Sequence, residues 1–274
     1  MRSSLRPARR AAAVLLRPTR TLNNSFLQQS RPYSSSSSVN PTEICHFSAL
    51  ASSWWEPHGP SRPLHLMNPL RHDFIRLCYN SPTPPSTFLD VGCGGGIFAE
   101  SAARLPTTTK TTAIDPSTTI LSIARQHAKK DPSLFNKLNY INSSIETLQH
   151  PKVDVVSCFE VVEHVDYPSE FLDKLGEFVR PGGWLVMSTI ARTWTSWFTT
   201  NLVAEDILGM VPKGTHDWNK YINEHELRAY FEKRPEKWGE IKVMGVVFVP
   251  GCGWKEVKGS EKIGNYFLGV QRIA

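Results

Sequence analysis

The sequence predicts an α/β fold with a doubly wound, mostly parallel sheet and helices on both faces. Segments with strand character alternate with helical segments between about residues 87 and 190, which is the pattern of successive βαβ units. Four glycines fall within the five positions 92–96, directly after the first predicted strand. Two apolar segments near the C-terminus follow each other without a helix, which predicts an antiparallel pair on the sheet edge.

The spacing of apolar residues predicts the individual elements. Before the sheet, residues 41–55 and 64–77 carry apolar side chains at helical spacing. The predicted elements that follow are strand 87–91, helix 97–105, strand 111–115, helix 117–129, strands 138–142 and 153–159, helix 168–179, strand 183–190, and strands 241–249 and 265–273. The run Pro181-Gly182-Gly183 predicts a turn immediately before the strand at 183–190.

The first 38 residues differ in composition from the rest of the chain. They contain seven arginines, no lysine and no acidic residue, with an apolar patch at residues 11–16. This composition is typical of a mitochondrial transit peptide, and the run from Arg31 to Ser34 resembles a matrix-peptidase site cut after Tyr33. We predict a disordered transit peptide at 1–33, a Ser-rich linker at 34–40 and one domain at 41–274. A merely disordered basic tail is the alternative.

Charge and cysteine content exclude several classes of protein. The chain has 31 basic and 25 acidic residues in all, which gives the net charge of +6. Without the seven arginines of the leader, the basic and acidic residues nearly balance. The domain itself is therefore close to neutral, which argues against a nucleic-acid partner. The five cysteines form no CxxC pair, which fits a reducing compartment without a disulfide framework. No apolar run approaches the roughly 20 residues of a membrane-spanning helix.

An apolar segment at about 192–221 interrupts the alternation of strands and helices. It is rich in Trp, Phe, Leu, Ile and Val, with Lys213, His216 and Lys220 beside them. Such a segment suits an inserted cap that covers a lipophilic substrate or lies in a membrane interface. An ordinary helical cap packed on the sheet is the alternative, and one surface can serve both purposes.

The glycine cluster and two acids predict a nucleotide-like ligand. Asp90 closes the first strand, Gly92 and Gly94 begin a G-x-G-x-G loop, and Asp115 ends the next strand 19 residues after Gly96. A dinucleotide site needs G-x-G-x-x-G, and that spacing is absent here. A carboxylate placed like Asp115 can accept hydrogen bonds from both ribose hydroxyls. The combination resembles the S-adenosylmethionine (SAM) site of class I methyltransferases, which have a Rossmann-like fold.

Glu160, Glu163 and His164 follow the strand at 153–159. Their i, i+3, i+4 spacing would place all three on one face of a helical turn. Two carboxylates and an imidazole there can hold a divalent ion or serve as a base. In methyl transfer to a phenol, whose pKa is about 10, a metal or a base must draw the proton away.

The assignment of these three residues has two versions. Mg²⁺ prefers oxygen ligands, so His164 can be the general base while the glutamates carry the metal. Alternatively, His164 can ligate a softer ion such as Zn²⁺ or Mn²⁺. An acid near a helix start and a surface histidine without any such role remain a third interpretation.

Longer runs make the resemblance specific. From about Cys45 to its end, the chain is similar to the ubiquinone biosynthesis O-methyltransferases. The matching runs are Phe47–Trp55, Pro63–Arg71, Asp90–Gly96 with Ala99–Ser101, Glu160–Val165 and Met210–Asp217. The Trp-Trp, Asn-Pro-Leu-Arg and Val-Pro-Lys-Gly-Thr-His runs are more specific than the glycine loop, which all class I methyltransferases share.

The resemblance implies roles for the matching residues. Arg71 would meet the carboxylate of SAM, and Asp115 would hold its ribose. Gly92 would line the cofactor loop. The remaining cofactor contacts would come from Asp90, Gly94, Ser144, Ile145 and Phe159. Glu160, Glu163 and His164 would be the metal ligands, with Mg²⁺ as the first candidate. Phe159, in place of the family's usual Met, and Pro116 after Asp115 depart from the pattern.

The resemblance further implies an enzyme that methylates a polyprenyl dihydroxybenzoate and demethylubiquinol. It implies a mitochondrial location, peripheral on the matrix side of the inner membrane, and a membrane-associated complex with other ubiquinone-biosynthesis proteins. A soluble methyltransferase of small phenols and a non-catalytic subunit of that assembly are the alternatives. The apolar insert argues against the first of them, and the complete set of site residues argues against the second.

Overall fold

A computed structural model describes the chain at residues 38–41, 44, 45, 48, 51–79, 85–193 and 220–274. The predicted transit peptide at 1–33 and most of the predicted insert at 192–221 lie outside the described residues. Within the described part of the chain, no helix is long and apolar enough to cross a membrane.

The described residues form one sheet of eight strands in the order β3-β2-β1-β4-β5-β8-β6-β7. The strands are β1 Thr87–Val91, β2 Lys110–Asp115, β3 Leu138–Asn142, β4 Val153–Phe159, β5 Val179–Ile190, β6 Trp238–Val249, β7 Gly253–Glu256 and β8 Asn265–Arg272. Strands β1 to β5 run parallel. β8 pairs antiparallel with β5 and β6, and β7 pairs antiparallel with β6.

The α-helices described over their whole length are α1 Arg62–Cys78, α2 Ile97–Ala103, α3 Thr118–Ala128, α4 Pro168–Glu177 and α5 Glu224–Glu232. α3 begins where the Ser117 hydroxyl accepts a hydrogen bond from the amide of Ile120. α5 begins with a capping box between Asn223 and Glu226. In both cases a side chain satisfies backbone amides that have no partner inside the helix.

Neighbouring residues of the central strands face two different cores. Phe88 and Val155 pack in the core under α1 and α2. Leu89 and Val156 pack in the core under α4 and α5. This alternation follows from the two-residue period of a strand, and it confirms the predicted doubly wound fold. Because both faces are covered, the open crevice for a ligand lies beyond the carboxyl ends of the strands.

The fifth strand differs from the prediction. It begins at Val179, which pairs with Val153, and continues through a register shift before Trp184 pairs with Val155. The predicted turn at Pro181–Gly183 is therefore an irregularity inside the strand. Gly182 has a φ of +80° there, a backbone conformation that glycine adopts at little cost.

The predicted C-terminal antiparallel pair is confirmed, but it does not form the sheet edge alone. β8 lies between β5 and β6, and the short strand β7 adds a hairpin that makes the edge. The predicted helix at 41–55 is described only in part. Residues 41, 44, 45 and 48 are helical, and Ala51–Ser53 is a short 3-10 turn.

Candidate active site

A cavity of about 650 Å³ lies at the carboxyl edge of the sheet, within the usual size range of ligand pockets. All residues that the sequence singled out for cofactor, metal or proton chemistry line it: Arg71, Asp90, Gly92, Gly94, Asp115, Ser144, Ile145, Phe159, Glu160, Glu163 and His164. They come from α1, from β1, β2 and β4, and from the segments that follow β1, β3 and β4. These elements are separated in sequence and meet only in the folded chain.

The glycine loop between β1 and α2 is hydrogen-bonded to β2 and packs against Trp54. The amides of Gly92 and Cys93 both donate to the carbonyl oxygen of Ile114, at 2.9 and 3.0 Å. Gly92 and Gly94 have φ values of +69° and +52°, in the left-handed region that side chains disfavour. A Cβ added to Gly94 would collide with the indole of Trp54.

Asp115 joins the end of β2 to that loop. Its Oδ2 accepts from the amide of Gly94 at 3.0 Å, and its Oδ1 accepts from the amide of Ser117 at 2.9 Å. Burial raises the pKa of its carboxyl group, and the two amides oppose this shift. Each carboxylate oxygen retains a second lone pair for a ligand hydroxyl. The carboxylate therefore positions the loop in addition to its predicted contact with a ribose.

Arg71 lies buried beside two acids. Its guanidinium carbon is 4.9 Å from the centre of the Phe159 ring, a cation–π geometry. The nearby charges of Glu160 and Asp90 favour its protonated form, whereas burial lowers its pKa. Its Nε has no hydrogen-bond partner. A buried donor without a partner costs free energy, so an anionic ligand group in the cavity would stabilise it.

Asp90 lies in β1 and pairs with Ser157 of β4. Its Oδ1 accepts from the hydroxyl of Ser157 at 2.7 Å, and its carboxyl group is almost fully buried. Burial raises the pKa of Asp90 to about 7, although Ser157 and Arg71 favour the ionised form. Its charge therefore depends on pH within the physiological range.

The predicted helical turn through Glu160 is wrong. The 3-10 turn contains only Val162–His164, and Glu160 precedes it with a φ of +55°. This conformation is unfavourable for a side chain with a Cβ. It is held because the amide of Glu160 donates to the carbonyl oxygen of Ser188 at 3.1 Å, while its Oε1 accepts from the Ser188 hydroxyl at 2.6 Å.

Glu163 is buried in the same part of the cavity. Its Oε2 accepts from the hydroxyl of Thr189 at 3.0 Å. Burial, followed by the nearby charge of Glu160, raises the pKa of Glu163 to about 7, while His164 lowers it. The two carboxylates thus repel each other electrostatically, and hydroxyl groups of β5 orient both of them.

The expected metal cluster is not assembled in the described chain. The donor chemistry of two carboxylates and an imidazole fits a divalent cation, and a cation would relieve the repulsion between Glu160 and Glu163. Among the described residues, however, no group of three or more His, Cys, Asp and Glu side chains is placed to hold a metal ion. The left-handed backbone at Glu160 takes its side chain out of the helical row that the spacing predicts.

Two neighbouring tryptophans support the glycine loop, and sequence reasoning assigned them no role. The Trp54 indole lies against Gly94 and Gly95. The indole N–H of Trp55 donates to the carbonyl oxygen of Gly95 at 2.9 Å. The Trp-Trp run is the sequence signal for this contact, but by itself it indicates only the family resemblance.

Trp55 is in turn held from α2 and α3. Its ring stacks on His127 with centroids 3.4 Å apart and an interplanar angle of 6°. The Nδ1 of His127 lies 2.8 Å from a carboxylate oxygen of Glu100, which is fully buried. This chain of contacts ties the N-terminal segment to the helix that the glycine loop begins.

Ser144 and Ile145 follow β3 and line the cavity. Ile145 is nearly fully buried. Residues 38–40 of the predicted linker also line the cavity, and the amide of Ser38 donates to Glu146 Oε1 at 3.2 Å. This part of the linker is therefore packed against the domain.

Comparisons with known proteins agree with this geometry. A sequence model of the family described as "Methyltransferase domain" matches residues 65–234. Among solved structures, the plantazolicin methyltransferase BpumL in complex with a monoazolic desmethylPZN analog and SAH has a TM-score of 0.55 at 15% identity, covering 85% of this chain and 97% of that one. Magnesium protoporphyrin IX methyltransferase from Synechocystis with bound SAH has a TM-score of 0.53 at 17% identity, covering 76% and 83%.

Curated relatives are closer in sequence. The mitochondrial ubiquinone biosynthesis O-methyltransferase of Candida albicans is 39% identical, with 86% of each chain covered. That of Schizosaccharomyces pombe is 41% identical, with 93% of each covered. The ubiquinone biosynthesis O-methyltransferase of Yersinia enterocolitica is 39% identical over 77% of this chain and 86% of its own.

The fold, the glycine loop and the carboxylate at the end of β2 define the chain as a class I methyltransferase that uses SAM. More narrowly, it belongs to the ubiquinone biosynthesis O-methyltransferase family. The predicted fold class, enzyme class and family are thereby confirmed.

Proposed function

We propose that this protein transfers the methyl group of SAM to a hydroxyl of a polyprenyl dihydroxybenzoate and of demethylubiquinol. The observation that carries the proposal is a single cavity in which the glycine loop and Asp115 lie beside a cluster of acid and imidazole groups after β4. The names of the relatives support the substrate class.

In this proposal the cofactor lies across the carboxyl ends of β3, β2, β1 and β4. The partnerless Nε of Arg71 supports its pairing with the carboxylate of the methionine moiety. Asp115 takes the ribose hydroxyls, and Ser144 and Ile145 flank the adenine. The loop at Gly92 and Gly94 allows close approach. Asp90 helps to fix the charged Arg71, and Phe159 packs against the cofactor near the sulfonium.

In this proposal, Glu160 and His164, which follow β4, remove the proton of the substrate hydroxyl. When bound, SAM supplies an activated methyl group on a sulfonium. The aryl oxygen would attack that carbon in line while the methyl–sulfur bond breaks and the thioether SAH leaves. The hydroxyl proton would pass to His164 Nε2 or Nδ1, or to a carboxylate oxygen of Glu160. Serving as general base requires hydrogen-bond reach to the hydroxyl. The bond from Ser188 to Glu160 Oε1 at 2.6 Å would hold that carboxylate toward the cavity.

We further propose that Glu160, Glu163 and His164 hold a divalent cation, with Mg²⁺ as the first candidate. The support is electrostatic, because Glu160 raises the pKa of the buried Glu163 and a cation would offset this repulsion. Such an ion would orient a catechol and lower the pKa of its hydroxyl.

The proposed location is the mitochondrion, with peripheral contact to the matrix side of the inner membrane. The Arg-rich first 38 residues and the word "mitochondrial" in the names of fungal and plant relatives support the organelle. A polyprenyl substrate supports the membrane contact and association with other ubiquinone-biosynthesis proteins. We propose that the protein does not bind nucleic acid.

The test is methyl transfer from labelled SAM to a short-tailed catechol by the purified protein, with EDTA and with added Mg²⁺. We expect activity that EDTA abolishes and Mg²⁺ restores, and a severe loss in Glu160→Ala and in His164→Ala. Glu256→Ala is the control, because Glu256 is an exposed residue of β7 that does not line the cavity.

The outcomes separate the alternatives. Full activity in metal-free buffer would contradict the metal proposal and leave methyl transfer intact. Equal rates with untailed phenols and prenylated catechols would favour a soluble small-phenol enzyme. Binding of SAM without transfer to any catechol or quinol would favour a non-catalytic subunit.

A further inference from the structure

The cavity does not end at the proposed catalytic groups. It continues along the carboxyl edge past β5 and β8 to β6 and β7, where Ile190, Asn265, Val246 and Trp254 line it. Ile190 pairs with Asn265, and Asn265 pairs with Val246, so these three residues form one row across β5, β8 and β6. With strands about 4.8 Å apart, the four steps from β4 to β7 span roughly 19 Å.

The walls of this arm are apolar and come from two elements. The β6–β7 hairpin contributes Val246, Phe248 and Trp254. Helix α1 and the turn before it contribute Pro60, Pro63, Leu64 and Met67. We call these seven residues the distal arm.

The one polar side-chain group among the distal-arm residues, the indole N–H of Trp254, has a hydrogen-bond partner within the protein. The indole N–H of Trp254 donates to the carbonyl oxygen of Pro63 at 2.9 Å, which ties the hairpin to the start of α1. Phe248 and Trp254 pack edge to face, with centroids 5.4 Å apart and an interplanar angle of 67°. The cavity therefore faces hydrocarbon surfaces here.

The arm also has an outlet. Ile263 lines the cavity and is 50% exposed, and Pro250 at the hairpin tip lines it and is exposed as well. An apolar passage that opens to the surface suits a ligand longer than the cavity. A closed pocket would instead limit the ligand to the ring itself.

We infer that the distal arm binds the first isoprene units of the substrate, while the aromatic ring lies at Glu160 and His164. This inference rests on the proposed function and deepens it. The cofactor requires the β3–β4 part of the edge, so the apolar β8–β7 part is left for a hydrocarbon chain attached to the ring. Such a chain gains free energy in proportion to the apolar area that it buries.

The experiment compares a triprenyl catechol with the same catechol lacking the tail, using the full chain. The variants are Phe248→Ala on the hairpin and Leu64→Ala on α1, each of which removes one wall of the arm. The control is Val249→Ala. Val249 follows Phe248 in β6, is 37% exposed and does not line the cavity.

We expect each wall variant to raise the KM for the triprenyl catechol about tenfold relative to the KM for the tailless one, as loss of roughly one buried side-chain contact implies. The control should leave this ratio as in the wild type. SAM affinity, measured by calorimetry, verifies that each variant is folded.

An unchanged KM ratio in both wall variants, or the same ratio change in Val249→Ala, would overturn the inference. If the wild type methylated neither catechol, the proposed function would fail by itself. Calorimetry of the triprenyl catechol would then decide on the arm. Weaker binding to Phe248→Ala and Leu64→Ala than to the wild type supports it, and equal binding refutes it.

Discussion

Asp90 and Glu163 are two carboxyl groups that folding removes from water. Burial raises the pKa of each to about 7, because the ionised form is poorly solvated inside the protein. Neither shift can be read from the local sequence. It arises because the packed strands β1, β4 and β5 bury both carboxyl groups, although the hydroxyls of Ser157 and Thr189 that contact them favour the ionised forms.

Asp90 should make the stability of the unliganded protein fall with rising pH. The unfolded chain releases this proton near pH 4, whereas the folded protein holds it up to about pH 7. The folded state therefore binds more protons between these values, and the free energy of unfolding declines across them. Asp90 contributes at most about 4 kcal/mol to this decline in the free energy of unfolding.

Denaturant unfolding from pH 4.5 to 7.5 measures this decline. Asp90→Asn should lose the part of the slope that Asp90 causes and keep the parts of the other buried groups. Among these, Glu163 and Asp115 add to the decline, and the lowered pKa of His72 opposes it. Asp131→Asn is the matched control, because hydrogen bonds from Ser133 and Arg104 lower the pKa of that surface carboxyl to about 2. Its titration lies below the window. Equal slopes in Asp90→Asn and the wild type would contradict the assignment.

At the scale of elements, the glycine loop depends on a segment that lies far from it in sequence. Trp54 covers Gly94 and Gly95, and Trp55 bonds to the carbonyl oxygen of Gly95. Steric exclusion of side chains from this turn therefore has two causes. One is the predicted approach of the ligand, and the other is the packed indole.

Trp55→Phe should raise the dissociation constant of SAM by a factor of about two to about ten. The phenyl ring can keep the stack on His127, but the bond from the indole N–H to Gly95 is lost, and one such bond is worth about 0.5–1.5 kcal/mol. Calorimetry measures the dissociation constant. Trp238→Phe is the control for a general effect of losing an indole, because Trp238 lies in β6 and packs in the hydrophobic core under α5. An equal loss in both variants would contradict a specific role for Trp55.

The regular elements were predictable where one local pattern determined them. β3 and β4 have the predicted bounds, since turn-forming residues such as Ser143 and Pro151 lie beside them. β5 was predicted to begin late because Pro181–Gly183 has the composition of a turn. Pairing with β4 on both sides of a bulge keeps this stretch in the strand, and such pairing is a tertiary effect that overrides local propensity.

At the scale of the whole molecule, a ligand that binds only the folded chain must stabilise it. SAM at a hundred times its dissociation constant adds about 2.7 kcal/mol. For a domain of this size, that raises Tm by roughly 5–10 °C. Asp115→Ala should lose most of this rise at the same concentration, when it is compared with its own unliganded Tm.

Differential scanning calorimetry measures both shifts. NAD at the same concentration is the matched ligand control, because the G-x-G-x-x-G spacing of dinucleotide sites is absent. A full SAM-induced rise in Asp115→Ala would mean that this carboxylate contributes nothing to the bound state. A comparable rise with NAD would mean that the loop does not discriminate between the two ligands.

The sequence by itself determined the fold class, the glycine loop, Asp115 and the acids after β4, because each depends on residue type and short spacing. Only the tertiary structure decided what those residues touch. Glu160 leaves the predicted helical face because Ser188, on a strand 28 positions later, holds its backbone in the left-handed region. The apolar arm beyond it likewise exists only because β8 inserts between β5 and β6. Contacts between distant segments follow from packing, which no local pattern records.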